Sequence, residues 1–117
     1  MKTTIWHNPR CSKSRQTLAL LEAKSIKTAI RLYFEDKPNV EELMKMSRLL
    51  NMQPIEFTRT KETVFKEMKL TKDSSAEELL AAMAAEPKLI ERPIVIRGDR
   101  AVLGRPPETV LDLFQHA

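Results

Sequence analysis

A chain of 117 residues, 42% hydrophobic and 31% charged, can bury roughly two thirds of its unfolded surface and needs no disulfide or structural metal to hold a core. Twenty Lys and Arg against sixteen Asp and Glu leave +4, but acids and bases alternate (EELMK, KEMKL, AEELL) with few aromatics between them. That pattern excludes the gathered basic face of a nucleic-acid binder and suits a small anionic substrate or an acidic partner.

Thr3 to His7 (TTIWH) is β-rich and ends in the turn dipeptide Asn8-Pro9. From Ser12 to about Lys24, Leu18, Leu21 and nearby alanines recur at helical spacing. Thr28 to Phe34 (TAIRLYF) predicts a second strand, closed by Asp36-Lys37-Pro38-Asn39. Asn39 is placed to cap a helix running to Leu50, with Glu41 and Glu42 complementing its dipole and Leu43, Met46, Leu49 and Leu50 as its apolar stripe. The methionines there are expected as core filler rather than metal ligands.

Thr60 to Lys69 predicts a weaker helix, and Ser75 to Ala85 a stronger one that opens on the capping pattern S-A-E-E and stops at Pro87. Pro93 to Arg97 and Arg100 to Leu103 flank Gly98-Asp99, a Gly-first pair suited to a type II′ hairpin. Glu108 to His116 follows Pro106-Pro107 as a final amphipathic helix. The order βα, βα, helices, ββ, α predicts a single α/β domain over 1–117 of thioredoxin-like arrangement. A parallel, right-handed first βαβ and an antiparallel late hairpin would make a mixed four-stranded sheet flanked by helices. A helical insertion from about Asn39 to Glu86 would separate the two halves.

The chain holds one cysteine, Cys11. It cannot bridge internally, which fits a reducing, cytoplasmic compartment. The N-terminus has no signal-peptide h-region, since Trp6 runs at once into His, Asn, Pro and Arg, and the longest apolar runs are too short to span a bilayer. No membrane partner is expected.

Cys11 stands where loop becomes helix, so unpaired backbone N–H groups and the positive dipole end aim at its sulfur. Arg10, Lys13 and Arg15 add positive charge nearby. These features favour the thiolate, which is the nucleophile, over the alternative of a small buried apolar residue. His7 has two readings: it orients or charge-stabilises the thiolate, or it finishes a strand and hydrogen-bonds the loop. His116 is a tail residue with no assigned role. Two distant histidines and one cysteine make no zinc site, so no metal is expected.

Read as blocks, HNPRCSKSR, FTRTKE, LIERPIVI and LGRPPETVLDLF together resemble the glutaredoxin-dependent arsenate reductases, the ArsC family, over essentially the whole chain and in the family's order. The resemblance implies a thioredoxin-like fold and reduction of arsenate to arsenite, with glutathione and a glutaredoxin as donors and no bound cofactor. It implies Cys11 as the nucleophile, His7 and Ser14 as groups supporting the thiolate, and Arg59, Arg92 and Arg105 as holders of the oxyanion. It also implies a cis bond at Arg92-Pro93, the kind of bond for which cis is inexpensive. The chain departs from the usual pattern at Ser12-Lys13 and at Arg10. Arginine forks match a tetrahedral oxyanion better than lysine point charges do, and three arginines so far apart in sequence can meet only through folding.

Ser14 occupies the position where many redox proteins carry a second cysteine, so the resolving thiol has to come from glutathione. Two other readings stay open: a glutathione-dependent thiol oxidoreductase with another substrate, and a binding module like the related Spx regulators, which contact RNA polymerase. The C-x-x-C switch typical of those regulators is broken here by Ser14. A monomer is expected.

Overall fold

The computed structural model describes residues 1–114. The chain packs as two compact units, one made of Met1–Asp36 with the segment from Arg92 onward, the other of Lys37–Glu91. The second is the expected helical insertion, with its ends moved out to Lys37 and Glu91.

The first unit is built on strands β1 (Thr3–Trp6), β2 (Ala29–Arg31), β3 (Ile94–Arg97) and β4 (Arg100–Leu103). They form one sheet in the order β2-β1-β3-β4. β1 runs parallel to β2, and β3 is antiparallel to both β1 and β4. This is the mixed sheet of the thioredoxin-like arrangement. Helix α1 (Ser12–Ala23) makes the crossover between β1 and β2.

Register decides which side chains meet. Ile5 faces Val95, which faces Val102, so the three form a row across one side of the sheet. Leu21 from α1 and Val110 and Leu113 from the closing segment pack on that row, with Leu18, Leu20 and Phe114 around it. Burying such a side chain stabilises by about 1.5–3 kcal/mol, which anchors α1 and therefore the loop before it. Gly98 takes φ +62°, as the Gly-first hairpin turn requires.

Two elements differ from expectation. β2 stops at Arg31 rather than Phe34, because the N–H groups of Glu35 and Asp36 both return to Leu32 O, at 3.0 and 2.9 Å. That turn buries Tyr33 completely against Trp6, with ring centroids 6.2 Å apart. The closing segment is a 3-10 helix over Pro107–Phe114 rather than an α-helix, and the rest of the predicted helix, including His116, lies outside the described residues. Its buried residues are Pro107, Val110 and Leu113. A spacing of three lines up one face at 3.0 residues per turn, and Thr109 N–H to Pro106 O at 3.0 Å starts the pattern.

The second unit holds α2 (Val40–Leu50), α3 (Thr63–Glu67) and α4 (Ala76–Ala85). α2 and α4 open on complete capping boxes, Asn39 with Glu42 and Ser75 with Glu78. Leu43, Met46 and Leu50 of α2 and Leu79, Leu80 and Met83 of α4 are buried, so Met46 is core as expected, whereas Met44 on the outer face of α2 is exposed. The predicted helix over 60–69 contracts to α3. Ser75→Ala removes one half of the α4 cap and should lower stability by about 1 kcal/mol, read as a lower denaturation midpoint.

Candidate active site

The site begins where β1 ends. His7 N–H still donates to Arg31 O at 2.9 Å, after which the chain turns through Asn8 and Pro9. Asn8 holds the turn, its side-chain oxygen accepting Arg10 N–H at 3.0 Å and its carbonyl accepting Cys11 N–H at 3.0 Å. Such an Asx turn is what the Asn-Pro pair favours. Cys11 then serves as the N-cap of α1 in extended conformation (φ −94°, ψ 123°), and its side chain makes no capping hydrogen bond. The thiol is half-buried.

Burial alone would raise the Cys11 pKa. It is outweighed by the Ser14 N–H, the Arg92 guanidinium and the Lys13 N–H, so the net shift is downward from the ordinary thiol value. The N–H groups of the first turn act on the sulfur through their charge, without a capping hydrogen bond to it. The cation is a different one. Arg92 reaches the sulfur from eighty-one positions away in sequence, while Arg15 turns its guanidinium to Pro9 O at 2.9 Å and Lys13 contributes through its backbone.

Ser14 is fully buried. Its hydroxyl accepts Asn8 N–H at 3.0 Å and shares a 2.6 Å hydrogen bond with His7 Nδ1. Burial, and then the Arg15 charge, lowers the His7 pKa. A neutral imidazole at physiological pH braces the loop through Ser14 and adds no positive charge beside the sulfur. Of the two readings of His7, the hydrogen bond to the loop is the one the geometry displays.

The three arginines are placed differently from one another. Arg92 stands close enough to Cys11 for its guanidinium to help lower the thiol pKa, and its guanidinium carbon lies 5.9 Å from the centre of the Phe34 ring. Arg105 is exposed and donates from Nε to Arg92 O at 2.8 Å, so it joins the group through Arg92. Arg59 belongs to the second unit, where Nε meets Glu62 at 3.0 Å and Nη1 meets Glu91 at 3.1 Å. Although burial works the other way, the two carboxylates raise its pKa further above the ordinary arginine value. Glu62 and Glu91 were not foreseen as partners. Only Glu62, three residues after Arg59, left a local signal.

The Arg92-Pro93 bond is cis, and so is Arg105-Pro106. The second was not anticipated. Gly104 N–H donates to Pro93 O at 2.9 Å, and a Cβ built on Gly104 would stand 2.7 Å from both Pro93 Cγ and Thr17 Oγ1. Gly104→Ala therefore forces Pro93 or α1 aside. We expect it to cost about 1–3 kcal/mol, seen as a lower melting temperature, and to slow alkylation of Cys11.

An arsenate reductase of Haemophilus influenzae is 47% identical over 116 residues, covering 97% of this chain and all of the relative. The uncharacterized protein YfgD of Escherichia coli is 44% identical over 111 residues, covering 93% of each. Among solved structures, an arsenate reductase from Vibrio cholerae superposes with a TM-score of 0.92 at 47% identity, covering 96% of this chain and 97% of that one. The model of the ArsC family matches residues 6–113, a span that takes in the thiol loop, both units and the cis-proline strand, and the chain belongs to the ArsC family.

Proposed function

We propose that the chain reduces arsenate to arsenite through Cys11, with glutathione and a glutaredoxin as electron donors. The Cys11 thiolate attacks As(V), an As–S bond forms, and one arsenate oxygen leaves as water after taking up protons. Arg92 stabilises the anion that accumulates. Arg105 and, on the family resemblance, Arg59 are assigned the same task. Glutathione then bonds arsenic as the second thiol, its proton leaving with an arsenic-bound hydroxyl as water, because the chain has only Cys11. A glutaredoxin thiolate takes the glutathionyl sulfur. The As–S bond to glutathione breaks with its electron pair left on arsenic, now As(III), the mixed disulfide leaves, and water cleaves the remaining As–S bond to release arsenite and return the Cys11 thiol. Glutathione is a co-substrate, no cofactor stays bound, and the monomer works in the cytoplasm.

The observation that supports this reading best is the place of Cys11 at the N-cap of α1, where the first-turn N–H groups and the Arg92 guanidinium lower its pKa. That arrangement makes a thiolate and places an anion-binding fork beside it. The test is a coupled assay with purified protein, glutathione, glutaredoxin and arsenate. Arsenite should form with the wild type, and none with Cys11→Ser or when either thiol donor is omitted. If no arsenite forms while Cys11 still exchanges with glutathione, the arsenate assignment is wrong and a thiol oxidoreductase of another substrate remains.

A further inference from the structure

The first unit contains a cleft of about 350 Å³ that the chemistry above leaves unused. The thiol loop from His7 to Arg10 forms one wall, and Leu32, Phe34 and Glu35 form the other. Its volume lies at the low end of those that hold small molecules. The far wall exists because β2 stops early, and it leaves Leu32 and Phe34 38% and 42% exposed side by side with the thiol loop. At the rim stand two opposite charges, Arg10 and Glu35, both exposed. Neither is engaged in an ion pair among the described residues.

We propose that this cleft is the binding site for the glutathione that reacts at Cys11, with Arg10 taking a carboxylate and Glu35 the α-ammonium. The assignment rests on the reading of glutathione as donor. Three observations select this occupant. The chain has no second cysteine, so a small thiol has to reach the loop from solvent. A zwitterionic peptide carries both charges that the rim complements. Its thiol lies between the two charged ends, the γ-linked glutamyl arm with the α-ammonium being the longer, and Arg10 directly precedes Cys11. The apolar wall would cover the peptide backbone and shield both ion pairs from water, where they are stronger than on an open surface.

The test needs no arsenate. In the exchange, the Cys11 thiolate attacks one sulfur of glutathione disulfide, the S–S bond breaks, and one glutathione leaves as its thiolate while the other stays on Cys11. The rate is measured by intact mass against that of bis(2-hydroxyethyl) disulfide, which carries neither charge. The ratio of the two cancels any change in the thiolate itself. The wild type should favour glutathione disulfide and saturate with it. Arg10→Glu and Glu35→Lys should each lower the ratio by roughly three- to tenfold, the range between an exposed and a partly shielded charge pair. Arg48→Glu, the same charge change on the exposed end of α2, should leave the ratio where it was. Ratios equal to the wild type in both cleft variants, with the adduct still forming, overturn the cleft and leave the donor reading intact. If only the hydroxyethyl adduct forms, both are overturned.

Discussion

Arg92→Ala will lower arsenate turnover by roughly a hundred- to a thousandfold, the usual loss when one preorganised donor to a developing anion is removed. Two effects combine. The thiolate loses a cation that lowers its pKa, and the arriving oxyanion loses a fork that can bond two of its oxygens at once. Arg92→Lys should recover little of the loss, because the charge stays but the paired N–H geometry goes. Arg105→Ala should fall between Arg92 and a surface control, since its Nε holds the Arg92 carbonyl in place. Arg48 is the proper control, exposed in the last turn of α2, and its alanine variant should cost well under ~1 kcal/mol. Arg31, which reads from sequence as an ordinary charge, is unsuitable. It pairs with Asp36 at 3.2 Å and lies over the Trp6 ring at 5.1 Å.

Ser14→Ala should have the largest effect on stability of any single polar substitution in the loop. The hydroxyl is fully buried and serves two groups of largely buried residues, Asn8 N–H and His7 Nδ1. Leaving a buried polar group unsatisfied costs about 1–3 kcal/mol, so the pair gives roughly 2–6 kcal/mol before relaxation. Urea denaturation should show the midpoint falling with the slope unchanged. The same substitution keeps the Ser14 N–H, so Cys11 should remain the more acidic thiol it is now in whatever fraction stays folded. A stability loss under ~0.5 kcal/mol would mean that the loop does not depend on this hydroxyl.

The topology was readable because its signals are local and mutually consistent. The Asn39 and Ser75 capping boxes, the Gly98 turn and the Ile5, Leu21 and Val95 positions each state their element within a few residues. The same holds for Cys11, whose loop-to-helix position is written in HNPRCSKS. What could not be read depends on partners distant in sequence. That Arg59 meets Glu91, thirty-two residues away, is a result of tertiary packing. So is the choice of Arg92 over the nearer Arg10 and Arg15 as the cation at the sulfur. The closing segment failed for a subtler reason, since its apolar residues suit periods of 3.0 and 3.6 about equally over two turns. Burial at Pro107, Val110 and Leu113 selects the tighter one.

The most direct measurement of the central claim is the alkylation rate of Cys11 as a function of pH, in the wild type and in Arg92→Ala. Iodoacetamide reacts with the thiolate, so the midpoint of the rate profile reports the pKa. The Ser14 and Lys13 N–H groups and the Arg92 guanidinium should bring the wild-type midpoint below that of a free thiol, ~8.5. Arg92→Ala should move it upward, since a cation that favours the charged form is gone. A wild-type midpoint at or above the free value, or one that does not move when Arg92 is removed, would contradict the account.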